Sequence, residues 1–357
     1  MWFAYFLFIY TFILSIGFYA TRKKVTQRKN ILFLTVFSIP LIILSGLRYP
    51  RIGTDTAIYL FFFEETFNGG SAIYEPGFNL LLKIISLITH NGQIMLIMVN
   101  IIIFTLLFRF ILKYSNCIWL SVFLFIGMEI FDQSMNLIRQ ILALSIIVNS
   151  IDYLLKRQYY KFSLIVLLAS TFHFSALVFF VAPIIDKIRL TTLKIFTFYI
   201  CIILISVLSS IIITLILTKL GIYGAYLNND NFGVVDQPKI ACILHLLINI
   251  LLFSFCYLFG WKKTESKTNR LMTKLLMVGG VFWAMSLNFS TAGRAALYFD
   301  IYSIVLIPNI LFSLKIKRNK WIISTAILIL FTFKYFIIAY LRPEWFAIYP
   351  YKFYFES

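Results

Sequence analysis

Charged residues are scarce in this 357-residue chain: Asp, Glu, Lys and Arg together make up 13% of it, whereas 61% is apolar. A composition with so little charge is typical of a protein that crosses a membrane many times. Acidic residues are the scarcest, which leaves a formal net charge of +18. The basic residues are dispersed in short segments between apolar runs, where they set membrane orientation, rather than gathered on one surface. We therefore expect a polytopic membrane protein with no nucleic-acid partner.

Cysteine is also scarce, and its spacing suits neither a metal site nor a disulfide framework. The closest pair, Cys242 and Cys256, would be separated along one helix by about 21 Å of rise. We expect inert core thiols and no bound metal.

Residues 1–20 are apolar but lack the basic n-region of a secretory signal, because Arg22 and Lys23 come after them. We expect a retained first helix with its N-terminus outside.

Ten apolar runs predict spanning helices of about 20 residues. They lie near 2–20, 31–47, 92–112, 117–131, 136–155, 195–217, 239–260, 275–290, 295–313 and 321–341. Residues 76–90 carry one polar face, which predicts an outer amphipathic or re-entrant helix. Residues 160–185 break near His173 and predict a broken helical hairpin. The expected fold class is an all-α polytopic membrane protein forming one integral membrane domain over residues 1–357.

The distribution of Lys and Arg sets the expected orientation. If both irregular stretches return to the side from which they start, about two thirds of the 32 Lys and Arg residues are cytoplasmic, as the positive-inside bias requires. Both termini, the loops at about 48–77 and 218–238 and the tail 342–357 are then outside.

The first outer loop contains two arginines near a helix end, Arg48 and Arg51, followed by Asp55, Tyr59 and, further on, Glu75. Arginine presents a planar fork of donors that pairs bidentately with phosphate and keeps its charge. These residues indicate a site for an anionic ligand. The alternative is that Arg48 and Arg51 hold the helix end or pair with Asp55.

A second cluster enters a predicted span from the outside. Asn136, Arg139 and Gln140 share one helical face. Because ionisable residues within spans usually face a bundle interior or a cavity, Arg139 is a candidate functional residue. The alternative is an ion pair of Arg139 with Asp132 or Glu129 that fixes helix packing.

The third cluster begins with Arg294, which starts a predicted helix at the outer face, where the helix dipole also favours anions. Tyr298 lies one turn further on, whereas Asp300 points elsewhere and is expected to pack. Snorkelling of Arg294 at the helix end is the alternative.

His173 interrupts an apolar run, and broken helices in membranes line cavities. Its imidazole is suited to take a proton from a hydroxyl, or equally to cap the broken helix.

Taken in order, these segments resemble the EpsG-like family of bacterial polysaccharide polymerases, which are relatives of Wzy-type O-antigen and capsule polymerases. The matching segments are Arg51-Ile-Gly53-Thr54-Asp55 with Tyr59, Glu75-Pro76-Gly77-Phe78, Asn136-Leu-Ile-Arg139-Gln140 with Ala143, Phe172-His173-Phe-Ser175-Ala176, and Arg294 with Tyr298-Phe299. Each motif is weak alone, but the ordered set covers nearly the whole chain.

The resemblance implies a metal-independent glycosyltransferase without a cofactor. It would transfer a growing glycan from undecaprenyl diphosphate to the non-reducing end of a lipid-linked oligosaccharide repeat, at the outer face of the bacterial inner membrane. The product would be lipopolysaccharide O-antigen, capsule or exopolysaccharide, and a chain-length regulator protein is a further implied partner. The residues expected to bind diphosphate are Arg48, Arg51, Arg139 and Arg294, with support from Tyr59, Asn136, Gln140 and Tyr298. The sequence does not choose the base among Asp55, Glu75 and His173.

Three other classes of protein are alternatives to a polymerase. An O-antigen ligase would also use outer arginines but usually carries a larger outer loop. A lipid-linked sugar flippase needs a polar path across the bilayer, whereas the intramembrane charge here lies near the outer face. A non-catalytic assembly subunit would need no single arginine for product formation.

Overall fold

The protein is built from helices. The computed structural model describes residues 1–19, 26–70, 73–219, 239–261, 266–289 and 291–356. Within these ranges eight helices are long and apolar enough to cross a membrane, or nine if one bent pair counts as a span. The all-α polytopic fold class is confirmed. The predicted loop 218–238 and the basic segment after the first helix lie mostly outside the described residues.

The predicted count of about ten spans is not confirmed. The run near 275–290 belongs to a helix, Lys267–Ser286, that is not among the eight. Its first eight residues include Lys267, Arg270 and Lys274, and such charges are costly within the hydrocarbon region.

Two compact units are distinguished, and the first comprises Met1–Tyr153, Tyr160–Leu177 and Leu314–Ser357. Its helices are α1 (Trp2–Tyr19), α2 (Gln27–Gly46), α3 (Thr56–Phe67), α4 (Pro76–Ser86), α5 (Gly92–Tyr114), α6 (Ile118–Gly127), α7 (Ile130–Asn136) and α8 (Ile138–Ile147), with α10 and α17 given below. The second unit comprises Leu154–Tyr159 and Val178–Ser313. That the chain forms a single domain stays a prediction.

The remaining helices follow in chain order. They are α9 (Ile151–Leu155), α10 (Tyr159–Ser170), α11 (Ala182–Lys187), α12 (Thr192–Lys219), α13 (Lys239–Phe255), α14 (Lys267–Ser286), α15 (Ala292–Asp300), α16 (Ser303–Ser313) and α17 (Lys317–Leu341). Short 3₁₀ segments occupy Val148–Ser150, Phe174–Val181 and Pro343–Trp345, and a π-helical turn at Cys256–Trp261 continues α13.

Aromatic side chains form the core of the first unit. Phe104 contacts Phe108, Phe125 and Phe131 with ring centroids 5.8 to 6.1 Å apart. Because lipid is as apolar as these side chains, helices in a membrane gain stability from close packing rather than from removal of apolar surface from water. Stacked and edge-on rings supply such packing.

Of the two irregular stretches predicted from the sequence, residues 76–90 contain a short regular helix, α4, and residues 160–185 are broken. Helix α4 buries Phe78 and Leu82 and exposes Lys83, and its place at the outer membrane interface stays a prediction. Helix α10 ends at Ser170, and a 3₁₀ segment starts four residues later. The arms of the predicted hairpin fall in different units, and its return to the starting side of the membrane stays a prediction.

The C-terminal tail lies along the loop between α2 and α3. The backbone N–H groups of Tyr49 and Gly53 donate to the carbonyls of Lys352 and Ala347, at 3.0 and 2.9 Å. In addition, the Tyr354 N–H donates to a carbonyl at the end of α2, at 2.9 Å. The tail is therefore a strap that holds the loop between α2 and α3 in place.

The Tyr351 side chain holds this strap against α2 and α1. Its hydroxyl donates to the Leu44 carbonyl, and its ring stacks on Phe3 with centroids 4.6 Å apart. The tail therefore has a structural role in addition to the membrane-interface anchoring that its Trp and Tyr residues suggest.

Truncation after Pro343 should destabilise the protein. It removes at least three backbone hydrogen bonds and the stacked Tyr351, which should lower the stability by at least about 2 kcal/mol. We expect less folded protein in the membrane but nearly parental activity per folded molecule, as measured by thermal unfolding and by polymer yield. Truncation after Tyr354, which keeps the three bonds, is the matched control. A stable truncation that makes no polymer would show that the tail takes part in the reaction.

Candidate active site

The site is built around Glu75, which α4 places at its N-cap position. Pro76 follows at the first helical position, where its missing N–H costs nothing. The next residue, Gly77, donates its N–H to the Thr171 carbonyl at 2.8 Å, and a Cβ at Gly77 would lie 2.9 Å from that oxygen. Only glycine permits this approach. The start of α4 therefore packs directly against the end of α10.

The Glu75 carboxylate bridges two distant segments. Its Oε1 atom lies 3.0 Å from His173 Nδ1 and accepts the Phe174 N–H at 3.2 Å. Its Oε2 atom forms an ion pair with Arg139 Nη1. The three side chains are 19 to 24% exposed, so they are partly buried yet reachable. Three residues that the sequence analysis named separately thus form one cluster in the first unit.

The electrostatic environment keeps Glu75 ionised. Burial raises the pKa of its carboxyl, but the hydrogen bonds from His173 and the backbone and the charge of Arg139 outweigh burial and lower the pKa to about 2. A carboxylate only accepts hydrogen bonds, so the His173 proton facing Glu75 is placed on Nδ1. The other ring nitrogen, Nε2, is then an acceptor. This arrangement orients His173 for a reaction at Nε2.

Arg139 lies at the second position of α8 and is held on two sides. Its guanidinium carbon sits 4.3 Å from the centre of the Tyr74 ring, a cation–π contact. Its Nε lies 3.5 Å from the hydroxyl of Tyr59, a buried residue whose pKa is raised by that burial. Its second amino group, Nη2, makes no hydrogen bond to a described residue. One edge of the fork therefore remains available to an anion.

The expected alternative partners of Arg139 were wrong. Glu129 instead pairs with Lys334 at 3.0 Å, and Asp132 accepts the Tyr335 hydroxyl at 3.1 Å. The sequence analysis missed Lys334, although a lysine inside an apolar span was a detectable signal. Tyr74 was also missed as a partner, because nothing in its spacing points to Arg139.

Asn136, the last residue of α7, holds the loop between α2 and α3. Its Oδ1 atom accepts the Thr54 N–H at 2.8 Å, and its Nδ2 atom donates to the Asp132 carbonyl at 3.0 Å. Gly53 has a φ of +82°, and a Cβ there would lie 2.9 Å from the Met135 carbonyl oxygen. The loop therefore approaches α7 backbone to backbone. Gln140, which follows Arg139 on α8, is buried.

Arg48 is fully buried rather than exposed to a ligand. Its guanidinium donates to Thr56 Oγ1 at 2.9 Å, to the Met135 carbonyl at 3.1 Å and to the Ser45 carbonyl. Burial lowers the pKa of Arg48 to about 10. These contacts favour the interpretation in which Arg48 holds the end of α2.

The other candidates in the first unit lie at its surface. Arg51 is exposed and forms no ion pair with any residue that the structure describes. Asp55 is half-buried at the N-cap position of α3, without a capping hydrogen bond from its side chain. Arg342 is 48% exposed and lies 3.6 Å from Glu344.

In the second unit, Arg294 is the third residue of α15 and is exposed, while Tyr298 one turn on is fully buried. Asp300 accepts the Trp283 Nε1–H at 2.5 Å and the Asn249 amide at 2.6 Å. It therefore packs, as expected. The residue Ser290 beside this cluster lies outside the described residues.

The fold and the site together define the class of protein. A polytopic helical membrane protein carries a half-buried carboxylate, histidine and arginine cluster, and no group of three or more His, Cys, Asp or Glu residues that could hold a metal occurs in its described part. The family model of the EpsG family matches residues 30–353, and the chain belongs to that family of Wzy-like polysaccharide polymerases. No curated protein and no solved structure matches the chain.

Replacement of Gly77 by Ala should separate Glu75 from His173. The added Cβ would contact the Thr171 carbonyl at 2.9 Å and the Thr171 side chain, so the start of α4 must move. We expect a stability loss of about 1 to 3 kcal/mol and a larger proportional loss of polymer formation. The control is Gly17→Ala, where nothing lies within 4 Å and helix propensity should leave stability equal or higher. Unchanged polymer formation by Gly77→Ala would mean that this close approach does not position the cluster.

Proposed function

We propose that the protein polymerises lipid-linked oligosaccharide repeats at the outer face of the inner membrane, with both termini outside. A growing glycan on undecaprenyl diphosphate would move to the non-reducing-end hydroxyl of an incoming repeat. Membership of the EpsG family supports the polymerase over a ligase or a flippase. The observation that carries the mechanism is the bridging of His173 and Arg139 by one carboxylate.

Arg139 would bind the donor diphosphate. Its free edge offers Nη2, while Glu75 and Tyr74 keep the guanidinium plane fixed. A preorganised cation stabilises the charge that develops on a departing diphosphate without reorganisation during the reaction. Arg51, an exposed arginine of the same unit, is a candidate for the remaining phosphate oxygens, and Arg294, exposed in the second unit, stays a separate candidate for binding lipid diphosphate.

His173 would be the base. In the proposed step the acceptor hydroxyl oxygen bonds to the anomeric carbon of the donor glycan. The bond from that carbon to the diphosphate oxygen breaks, and its electron pair leaves with the diphosphate. The hydroxyl proton passes to His173 Nε2, and Glu75 stabilises the resulting imidazolium. Glu75 itself is a weak base because its pKa is lowered to about 2, so we assign it to positioning.

Arginine chemistry rather than charge alone should be required. Arg139→Lys keeps the charge but loses the fork, and charge-assisted hydrogen bonds are worth about 1.5 to 3 kcal/mol, or roughly 10- to 100-fold in rate. Arg51→Lys and Arg294→Lys should act in the same direction. The measurement is polymer-ladder formation from purified lipid-linked repeat, normalised to folded protein. Arg342→Lys is the control, since this exposed residue pairs with Glu344, its neighbour in the tail. Near-parental ladders from all three variants would remove guanidinium recognition of diphosphate from the mechanism.

His173→Gln should abolish the proton transfer while preserving the local structure. Glutamine can still donate a hydrogen bond to Glu75 but does not cycle a proton. We expect polymer formation to fall by about 10²- to 10⁴-fold, with the amount of folded protein unchanged. The rate should be followed across pH, because a parental rate at every pH would exclude His173 as the base.

A further inference from the structure

A second polar cluster lies in the first unit where a membrane span is broken. Helices α6 and α7 meet at an angle of 51°, and Glu129 between them has a left-handed backbone with a φ of +62°. Irregular backbone at membrane depth is tolerated where it faces protein or a cavity. Here a small cavity is lined by Glu129, Asp132, Tyr335, Arg342 and Tyr349, among others. None of these residues belongs to the cluster around Glu75.

One oxygen of Glu129 has no hydrogen-bond partner within the part of the chain that the structure describes. Glu129 is 1% exposed, and its Oε2 atom accepts the Lys334 ammonium at 3.0 Å. The other oxygen, Oε1, is buried and accepts no hydrogen bond from a described residue. A buried carboxylate oxygen without a partner is costly, because it gives up its water without compensation.

Asp132 contributes a second carboxylate to the same cavity. It is 2% exposed, and its Oδ1 atom accepts the Tyr335 hydroxyl at 3.1 Å. The Tyr335 hydroxyl in turn accepts the hydroxyl of Tyr349 at 3.0 Å. The chain of donors thus runs towards Asp132, and the Tyr349 oxygen keeps its lone pairs for another group.

The charges of the fully buried groups at the cavity do not balance. Glu129 and Asp132 are two carboxylates, and Lys334 supplies one ammonium. Arg342 at the cavity edge is compensated by Glu344 at 3.6 Å. The C-terminal end of α6 and the N-terminal end of α7 meet here, so their opposite dipole charges roughly cancel. With both carboxylates ionised, one negative charge is left over among these buried groups.

We propose that this cavity binds one small monovalent cation, Na⁺. The ligands would be Glu129 Oε1, the Asp132 carboxylate and the Tyr349 hydroxyl oxygen, which are hard oxygen donors of the kind that such cations take. The cavity volume of about 10 Å³ admits one particle of the size of a water molecule. Interrupted helices are a known setting for Na⁺ in membrane proteins. The cation would stabilise the bend rather than enter the polymerisation reaction, so the inference does not depend on the proposed function.

The test measures thermal unfolding of the purified full-length protein in sodium chloride and in choline chloride at equal ionic strength. A ligand that binds only the folded state raises its stability saturably. We therefore expect sodium to raise the Tm by on the order of a few degrees. Asp132→Asn keeps an acceptor for Tyr335 and removes the surplus charge. It should lose the sodium response and unfold in choline no earlier than the parent does in sodium.

Two further variants make the outcome decisive. Glu129→Gln should also lose the sodium response, whereas Glu64→Gln, on the exposed side of α3, should retain it. Binding of radioactive Na⁺ to the parent should be saturable and should vanish in Glu129→Gln. Equal stability of the parent in sodium and choline would overturn the proposal. It would also fail if stability depended on pH alone, since the surplus charge would then be neutralised by a proton.

Discussion

The arrangement of the candidate site depends on one carboxylate, that of Glu75. Its two oxygens face His173 on one side and Arg139 on the other, so a single side chain fixes the break after α10 relative to the start of α8. A partly buried charge is tolerated only when partners replace its water. Four groups do so here, including two backbone N–H groups. Loss of Arg139 would leave the Glu75 charge without its counter-charge, and loss of His173 would remove a hydrogen bond from the same carboxylate, so these residues depend on one another.

The bilayer accounts for where the chain departs from regular helix. Backbone polar groups in lipid need partners, so breaks occur where another segment supplies them. After α10 the Thr171 carbonyl receives the Gly77 N–H. At the end of α2, Arg48 donates hydrogen bonds to the carbonyl of Ser45 and to that of Met135 in α7. The loop that follows α2 is paired with the tail, so the loop that leads into α3 and Tyr59 rests on backbone hydrogen bonds rather than on side chains alone.

Local patterns predicted the all-helical fold, the amphipathic α4 and the break near His173, because apolar periodicity and its interruptions are local signals. The same reasoning named Glu75, Arg139 and His173 separately. It did not pair them, because their contacts join residues 64 and 98 positions apart. The sequence analysis also assigned Arg48 to ligand binding, although its donors meet carbonyls. An arginine at a helix end has the same local pattern whether it faces a ligand or the interior.

The side chains that surround position 139 explain why an arginine suits it better than a lysine. Glu75 takes one amino group of the guanidinium, and the Tyr74 ring covers one of its faces. A lysine ammonium there would be a point charge neutralised by Glu75, with little left for a second anion. The guanidinium spreads its charge over several donors, so one edge is left for phosphate oxygens while the other stays with Glu75. In the proposed mechanism a diphosphate would then bind beside Glu75 without displacing it, and His173 would keep its orientation throughout the reaction.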